Sequence, residues 1–169
     1  MSFLRRLDEY SNFVEEIIIG SLLATASAIL FANVVARYVF NWGVPWADEL
    51  VRYEIVWMVF IGGSVATRKG MHIGVDILTT FSPPKARTAI LLLINSISLA
   101  FCLVLVVNGA ELVAQIMMFR QVAPALQVPM WVVQLAIPIG GGLMALRFFQ
   151  RIIAAWQSSA EEVSVENLG

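Results

Sequence analysis

Five charged side chains lie within or at the ends of apolar segments. They combine two cations with three carboxylates: Arg37, Glu49, Arg52, Glu54 and Glu111. A charge at the centre of a bilayer costs at least about 2.5–3.5 kcal/mol, so such residues are usually paired or functional. Two chemistries fit this set, namely a site for a proton or cation, or ion pairs that join three helices. We favour ion pairing, and Glu54, the deepest of the five, is the candidate for a functional carboxylate.

The side chains that membrane enzymes require are scarce in this sequence. His72 is the only histidine, so two histidines cannot hold a haem, and Cys102 is the only cysteine, so an intramembrane dithiol cannot form. His72 also lies close to Arg68 in a predicted loop, away from any serine in an apolar segment. We therefore expect no catalytic residue, no cofactor and no metal site. The net charge of −1 and the lack of a basic stripe disfavour nucleic acid as a partner.

The composition indicates that the lipid bilayer is the main solvent of the chain. Of its 169 residues, 59% are apolar and 14% are charged, whereas soluble domains average roughly 45–50% apolar and about 25% charged. Uncharged runs at 17–36, 88–110 and 121–146 each reach the roughly 20 residues that a transmembrane helix needs. A fourth run, 55–67, is shorter and spans only if its helix begins near Ala47.

The distribution of lysine and arginine predicts the topology. Most of these residues flank the spans on one side: Arg5, Arg6, Arg68, Lys69, Lys85, Arg87, Arg147 and Arg151. Because such residues accumulate on the cytoplasmic side, both termini are predicted to lie in the cytoplasm. The predicted fold class is therefore an all-α integral membrane protein with four transmembrane helices and short interfacial amphipathic helices.

The predicted elements form a single membrane domain over 1–169. Their bounds are an interfacial helix at 1–14, transmembrane helices at 15–40 and 46–68, an interfacial helix at 72–82, transmembrane helices at 85–118 and 128–152, and a polar tail at 157–169. The first interfacial helix is predicted because Phe3, Leu7, Tyr10 and Val14 share one helical face.

A row of small residues repeats every four positions along the first helix. It consists of Gly20, Ala24, Ala28, Ala32 and Ala36. Helices in lipid associate through close packing, so such a row marks a contact with another helix. That helix could belong to this chain or to another membrane subunit, and both alternatives remain open.

Pro138 and the glycines at 140–142 form a second packing signal, in the fourth helix. In a carrier such a break can bind ions, but carriers usually repeat the break in a second half, and the first three helices contain no counterpart. We therefore interpret Pro138 as a kink with close helix packing behind it.

The most specific pattern lies in the second helix and the loop after it, and comprises Trp46, Glu49, Arg52, Tyr53, Arg68, His72 and Asp76. The residues at 37–40 and 121–131 extend this pattern on both sides. From Arg37 to Arg147 the chain resembles the small permease subunit (the Q, or DctQ-type, subunit) of tripartite ATP-independent periplasmic (TRAP) transporters. Glu54 departs from the family pattern, which leaves a local role for this residue open.

The resemblance implies partners and a role. A soluble periplasmic binding protein would deliver an organic acid, such as sialic acid, a C4-dicarboxylate or a related carboxylate. A large multi-span permease subunit in the bacterial inner membrane would transport it with sodium, which would bind that subunit. This chain would be a membrane scaffold for the large subunit. Its loops 41–46 and 119–130 would face the binding protein, with these candidate contacts: Asn41, Trp42, Gln121 and Gln127.

Two functions from other classes are the alternatives. One is a small four-helix exporter that works by itself and uses Glu54 as its coupling carboxylate. The other is a membrane anchor for a redox enzyme, which the single histidine, His72, disfavours.

Overall fold

A computed structural model describes the backbone of residues 2–69 and 84–166 and the side chains of 13–68 and 88–156. The regular structure of these residues is helical, apart from one isolated β-bridge between Val122 and Pro129. The helices are α1 (Ser2–Val39), α2 (Pro45–Lys69), α3 (Pro84–Met118), α4 (Met130–Gln134) and α5 (Ala136–Glu166). The predicted interfacial helix at 72–82, with His72 and Asp76, lies outside the described residues.

Four helical segments are long and apolar enough to cross a membrane: Phe13–Val39, Pro45–Arg68, Thr88–Met118 and Met130–Trp156. The prediction of an all-α protein with four transmembrane helices is confirmed. The second segment begins at Pro45, so Glu49, Arg52 and Glu54 do lie in its first turns. Proline suits the first position of a helix because its missing N–H has no partner there.

Two predicted boundaries differ from the structure. The segment at 1–14 continues into the first span as one helix, because no glycine or proline interrupts the chain between Ser2 and Ile19. The segment at 157–166, predicted as part of a polar tail, continues α5 as far as Glu166 for the same reason.

The four long helices lie side by side in the order α1, α2, α5, α3. The backbone of α1 approaches only α2 among the described helices, while α5 packs against both α2 and α3. The molecule is therefore an open row of helices, and α1 forms one edge of it.

Glycines allow close contacts within the α2, α5 and α3 part of the row. A Cβ atom added at Gly140 of α5 would lie 2.5 Å from the Cβ atom of Phe60 in α2. One added at Gly109 of α3 would lie 2.8 Å from Ile137 and 3.1 Å from Pro138. These helices thus meet at distances that a larger side chain would prevent.

The fourth span is interrupted at Leu135, between α4 and α5. The N–H of Leu135 still donates to the carbonyl of Trp131 at 3.0 Å, and the N–H of Ile139 donates to that of Leu135 at 3.1 Å. Pro138 has no N–H and cannot donate to the carbonyl of Gln134, four residues earlier. The interruption lies where the sequence predicted a kink, with the close contact of Gly140 directly behind it.

Candidate functional site

The carboxylate of Glu49 connects α2 to the loop between α3 and α4. One oxygen, Oε2, accepts hydrogen bonds from the backbone N–H groups of Ala125 and Leu126, both at 2.8 Å. The other oxygen, Oε1, accepts a hydrogen bond from the Tyr53 hydroxyl at 2.6 Å. Glu49 is only 9% exposed. Short bonds from three neutral donors therefore satisfy this carboxylate without a cation in contact.

The loop that Glu49 binds, residues 119–129, has a defined backbone conformation. The N–H of Ala123 donates to the carbonyl of Val128 at 2.8 Å, and the N–H of Met130 donates to that of Gln121 at 3.0 Å. Ala123 is fully buried. Gln127 has a φ of 56°, in the left-handed region that non-glycine residues seldom occupy. We call residues 119–129 the α3–α4 loop.

The turn between α1 and α2 is stabilised by a second carboxylate, Asp48. Its Oδ1 atom accepts a hydrogen bond from the Asn33 side chain at 3.0 Å, and Oδ2 lies 3.2 Å from Nη2 of Arg37. The Asn33 side-chain oxygen in turn accepts a bond from the N–H of Val44 at 3.2 Å. Asn33 is buried, so this amide fixes the angle at which the chain enters α2.

Glu54 lies deeper, between α1 and α2. Its Oε1 atom accepts a hydrogen bond from the Thr25 hydroxyl at 3.0 Å. Its Oε2 atom is buried and has no hydrogen-bond partner among the described residues. Glu54 thus joins the two helices through one hydroxyl.

A buried ion pair joins three helices at the opposite end of the spans. Arg147 of α5 lies 3.6 Å from Oε1 of Glu15 in α1, and both side chains are less than 8% exposed. The Ser64 hydroxyl of α2 donates to the same oxygen of Glu15 at 3.3 Å. Nearby, Arg68 pairs with Glu16 at 2.8 Å. Polar contacts therefore connect α1 to its neighbours at three depths.

The predicted set of intramembrane ion pairs does not come together within the described residues. Arg37 pairs with Asp48, and Glu49 accepts from Tyr53 and the loop. Arg52 and Glu111 are exposed and make no hydrogen bond or ion pair with any described side chain. Sequence reasoning placed these residues at similar depths, but it could not give the rotation of each helix about its axis.

Several residues of these contacts were not candidates in the sequence: Glu15, Asn33, Asp48 and Ser64. One signal could have found the Glu15–Arg147 pair. Glu15 lies just before the first uncharged run and Arg147 just after the last. Both therefore border the apolar layer on the same predicted side, where opposite charges favour pairing.

The row of small residues on α1 is not covered by the described residues. Gly20, Ala24, Ala28 and Ala32 are exposed and Ala36 is half-buried. A Cβ atom added at Gly20 would meet no atom within 4 Å. Towards the loops, the row leads into an apolar groove of about 220 Å³ with these lining residues: Ile29, Ala32, Asn33, Ala36, Val44, Trp46 and Ala47.

The four candidate contacts for a soluble partner all lie at the same end of the row of helices. Asn41 and Trp42 belong to the turn between α1 and α2, and Trp42 is 72% exposed. Gln121 and Gln127 are exposed on the α3–α4 loop. Of the pattern residues in the second helix, Trp46 lines the groove beside α1. Within the described residues, no group of three His, Cys, Asp or Glu side chains could hold a metal ion.

A row of four apolar spans joined by internal polar contacts defines a small polytopic membrane protein. Residues 26–158 match the family model described as tripartite ATP-independent periplasmic transporters, DctQ component. The chain belongs to this family. Its members are permease subunits of transporters and not enzymes, as predicted, and the chain is a multi-pass protein of the inner membrane.

Two relatives that cover most of the chain are small permease proteins, and a third matches about half of it. A C4-dicarboxylate TRAP transporter small permease protein DctQ of Rhodobacter capsulatus is 31% identical over 87% of this chain and 76% of its own length. The protein of the same name in Vibrio cholerae is 28% identical over 92% of this chain and 75% of its own length. The sialic acid TRAP transporter permease protein SiaT of Haemophilus influenzae is 37% identical over 47% of this chain and 13% of its own length.

Proposed function

We propose that the chain is the membrane scaffold subunit of a sodium-coupled TRAP transporter that imports an organic acid. The observation that carries this proposal is the exposed row of small residues on α1, at the free edge of a protein of the DctQ family. We take the proposed substrate class from the names of the relatives, which specify C4-dicarboxylates and sialic acid. Sodium and substrate would bind the large permease subunit.

The large permease subunit is the partner that fits the row on α1. Helices in a bilayer gain little from apolar contact alone, because lipid tails are equally apolar, and so they associate where small residues permit close approach. The row from Gly20 to Ala32 lies on a helix whose backbone contacts only α2 among the described helices. The match to part of SiaT, a longer permease protein, supports a small subunit that stays attached to a larger one.

The loop end would face the periplasm and the two termini the cytoplasm. The exposed aromatic side chains Tyr38, Phe40 and Trp42 cluster at the loop end, and aromatic residues favour the membrane interface. Arg68, Arg147 and Arg151 lie at the other end, as the positive-inside rule requires for a cytoplasmic side. The periplasmic binding protein would then meet the turn between α1 and α2 and the α3–α4 loop.

Co-purification tests the scaffold role. The tagged chain is expressed with the large permease subunit, and the amount of that subunit retained after detergent washing is measured. We expect the wild-type chain to retain it. The double variant Ala28→Leu/Ala32→Leu should retain at least about tenfold less, because two leucines separate the helix backbones. The matched control is Ala100→Leu/Ala110→Leu, which changes two exposed alanines of α3 and should retain the partner.

Two results would contradict the proposal. The first is a wild-type chain that purifies without any large subunit. The second is a chain that transports by itself in proteoliposomes and loses transport in Glu54→Gln, which would favour the exporter.

A further inference from the structure

We propose that Glu49 is a positioning residue that holds the α3–α4 loop in the conformation to which the soluble binding protein docks. This inference rests on the proposed function, in which the loop faces the periplasm. Glu49 would not touch the substrate or sodium. It would act through the loop backbone, by fixing the side chains that the partner meets.

The contact links parts of the chain that are distant in sequence. Glu49 lies in α2, 76 residues before Ala125 and 77 before Leu126. Two successive N–H groups donate to one carboxylate oxygen at 2.8 Å. The loop therefore cannot slide or rotate at Ala125 without losing both bonds, and each lost bond would leave a polar group without its partner near the membrane.

The carboxylate is itself held in place. The Tyr53 hydroxyl, one helical turn after Glu49, donates to its second oxygen at 2.6 Å. The Tyr53 oxygen also lies 3.4 Å from the sulfur of Met130, the first residue of α4. Glu49 and Tyr53 thus contact both the middle of the α3–α4 loop and the residue that follows its end.

The loop conformation needs such support. Arg120 and Gln127 have φ angles of 48° and 56°, which are unfavourable for residues other than glycine. Backbone strain of this kind persists when the surrounding contacts determine the conformation. The two bonds to Glu49 are made by the residues directly before Gln127, so they constrain the backbone that leads into its left-handed conformation.

A fixed loop presents a ready-made surface. The side chains of Gln121, Val122 and Gln127 are exposed on it, while its backbone is bound to Glu49 from below. A partner that docks to a prearranged loop does not have to order it, and binding is correspondingly stronger. Loss of the Glu49 contact should therefore weaken docking while leaving the transport step itself intact.

The test uses the whole transporter in lipid, with two measurements on each variant. The first is hydrogen exchange of the backbone amides of Ala125 and Leu126. The second is transport in proteoliposomes as a function of the concentration of the binding protein. For Glu49→Ala we expect exchange to be about tenfold faster or more, because both amides lose their acceptor. The half-saturating concentration of binding protein should rise about fivefold to tenfold with little change in maximal rate.

Three further variants separate positioning from a general loss of structure. Glu49→Gln keeps an oxygen that can accept from the loop, so it should restore part of the protection. Tyr53→Phe removes the bond to Oε1 and the contact with Met130 but keeps both bonds from the loop to Oε2, so both effects should have the same direction and be smaller. Glu111→Ala removes an exposed carboxylate of α3 that makes no hydrogen bond or ion pair with the described side chains, and both quantities should stay at the wild-type value.

Unchanged exchange in Glu49→Ala would overturn the inference, as would faster exchange with an unchanged half-saturating concentration. If Glu49→Ala does not assemble, Tyr53→Phe decides, and wild-type behaviour of that variant in both measurements would overturn the inference. Failure of the wild-type chain to retain the large subunit would instead contradict the proposed function.

Discussion

The attachment of α1 differs in kind from the contacts among α2, α5 and α3. α1 is joined to its neighbours by polar side chains, from the Glu15–Arg147 pair through Thr25 and Glu54 to Arg37 and Asp48. The other three helices meet where glycines allow their backbones to approach, as at Gly140 and Gly109. Directed polar contacts are thus prominent where α1 meets its neighbours, and close glycine contacts are prominent among α2, α5 and α3.

This difference follows from the solvent. Between helices in lipid the hydrophobic effect contributes little, so either close packing or hydrogen bonding must hold them together. The row from Gly20 to Ala32 on α1 is exposed, and other residues of α1, among them the buried Ala26, form most of the contact with α2. Polar contacts therefore add to the packing at this edge, and the exposed row of small residues remains available for the proposed large subunit.

The largest expected effect is at the buried ion pair. In Arg147→Met the carboxylate of Glu15 would keep, among the described residues, only the Ser64 hydroxyl, at 3.3 Å. Removal of one partner of a buried pair leaves an uncompensated charge, so we expect the free energy of unfolding to fall by about 3–5 kcal/mol. Reversible unfolding in mixed detergent and SDS micelles measures this change.

Two further variants test the physical cause of that loss. Arg52→Met removes an exposed arginine that makes no hydrogen bond or ion pair with the described side chains, and its effect should stay within about 0.5 kcal/mol. Glu15→Gln/Arg147→Met removes both charges and should recover most of the stability. A double variant as unstable as Arg147→Met alone would show that packing by the arginine, and not charge compensation, is what stabilises α1 here.

A moderate effect is expected at the glycine contact between α2 and α5. Gly140→Ala places a methyl group against Phe60, and we expect a destabilisation of about 1–3 kcal/mol in the same assay. Gly142→Ala is the matched control, because a Cβ atom there meets nothing within 4 Å. It should be neutral or slightly stabilising, since alanine favours helix. Equal effects of the two substitutions would mean that the close approach at Gly140 does not hold α2 and α5 together.

The spans could be predicted from the sequence, because a bilayer imposes a minimum apolar length that three uncharged runs meet directly. The second span required the topology argument, since its first turns carry Glu49, Arg52 and Glu54. The length of α1 beyond its span could not be deduced from amphipathicity, which predicts a buried face but not whether the helix bends at its end.

The polar contacts were only partly predictable. The sequence indicates that Arg37 and Glu49 need partners, because charges in apolar segments are costly. It does not indicate that Arg37 would pair with Asp48, or that Glu49 would bind the backbone of a loop. These contacts depend on the rotation of the helices and on the fold of residues 119–129. Backbone N–H groups occur at every position except proline, so they give no sequence signal for a carboxylate partner.

The smallest effect is expected at the pair of Arg37 and Asp48. Their side chains are 56% and 47% exposed, so water screens the interaction. Arg37→Ala should therefore lower the free energy of unfolding by less than about 1 kcal/mol, and added salt should reduce the difference. The comparison is with Asn33→Ala, which removes a buried amide bonded to both Asp48 and Val44 and should cost more. If Arg37→Ala were the more destabilising of the two, the turn between α1 and α2 would depend on charge, and the polar attachment of α1 would be electrostatic along its whole length.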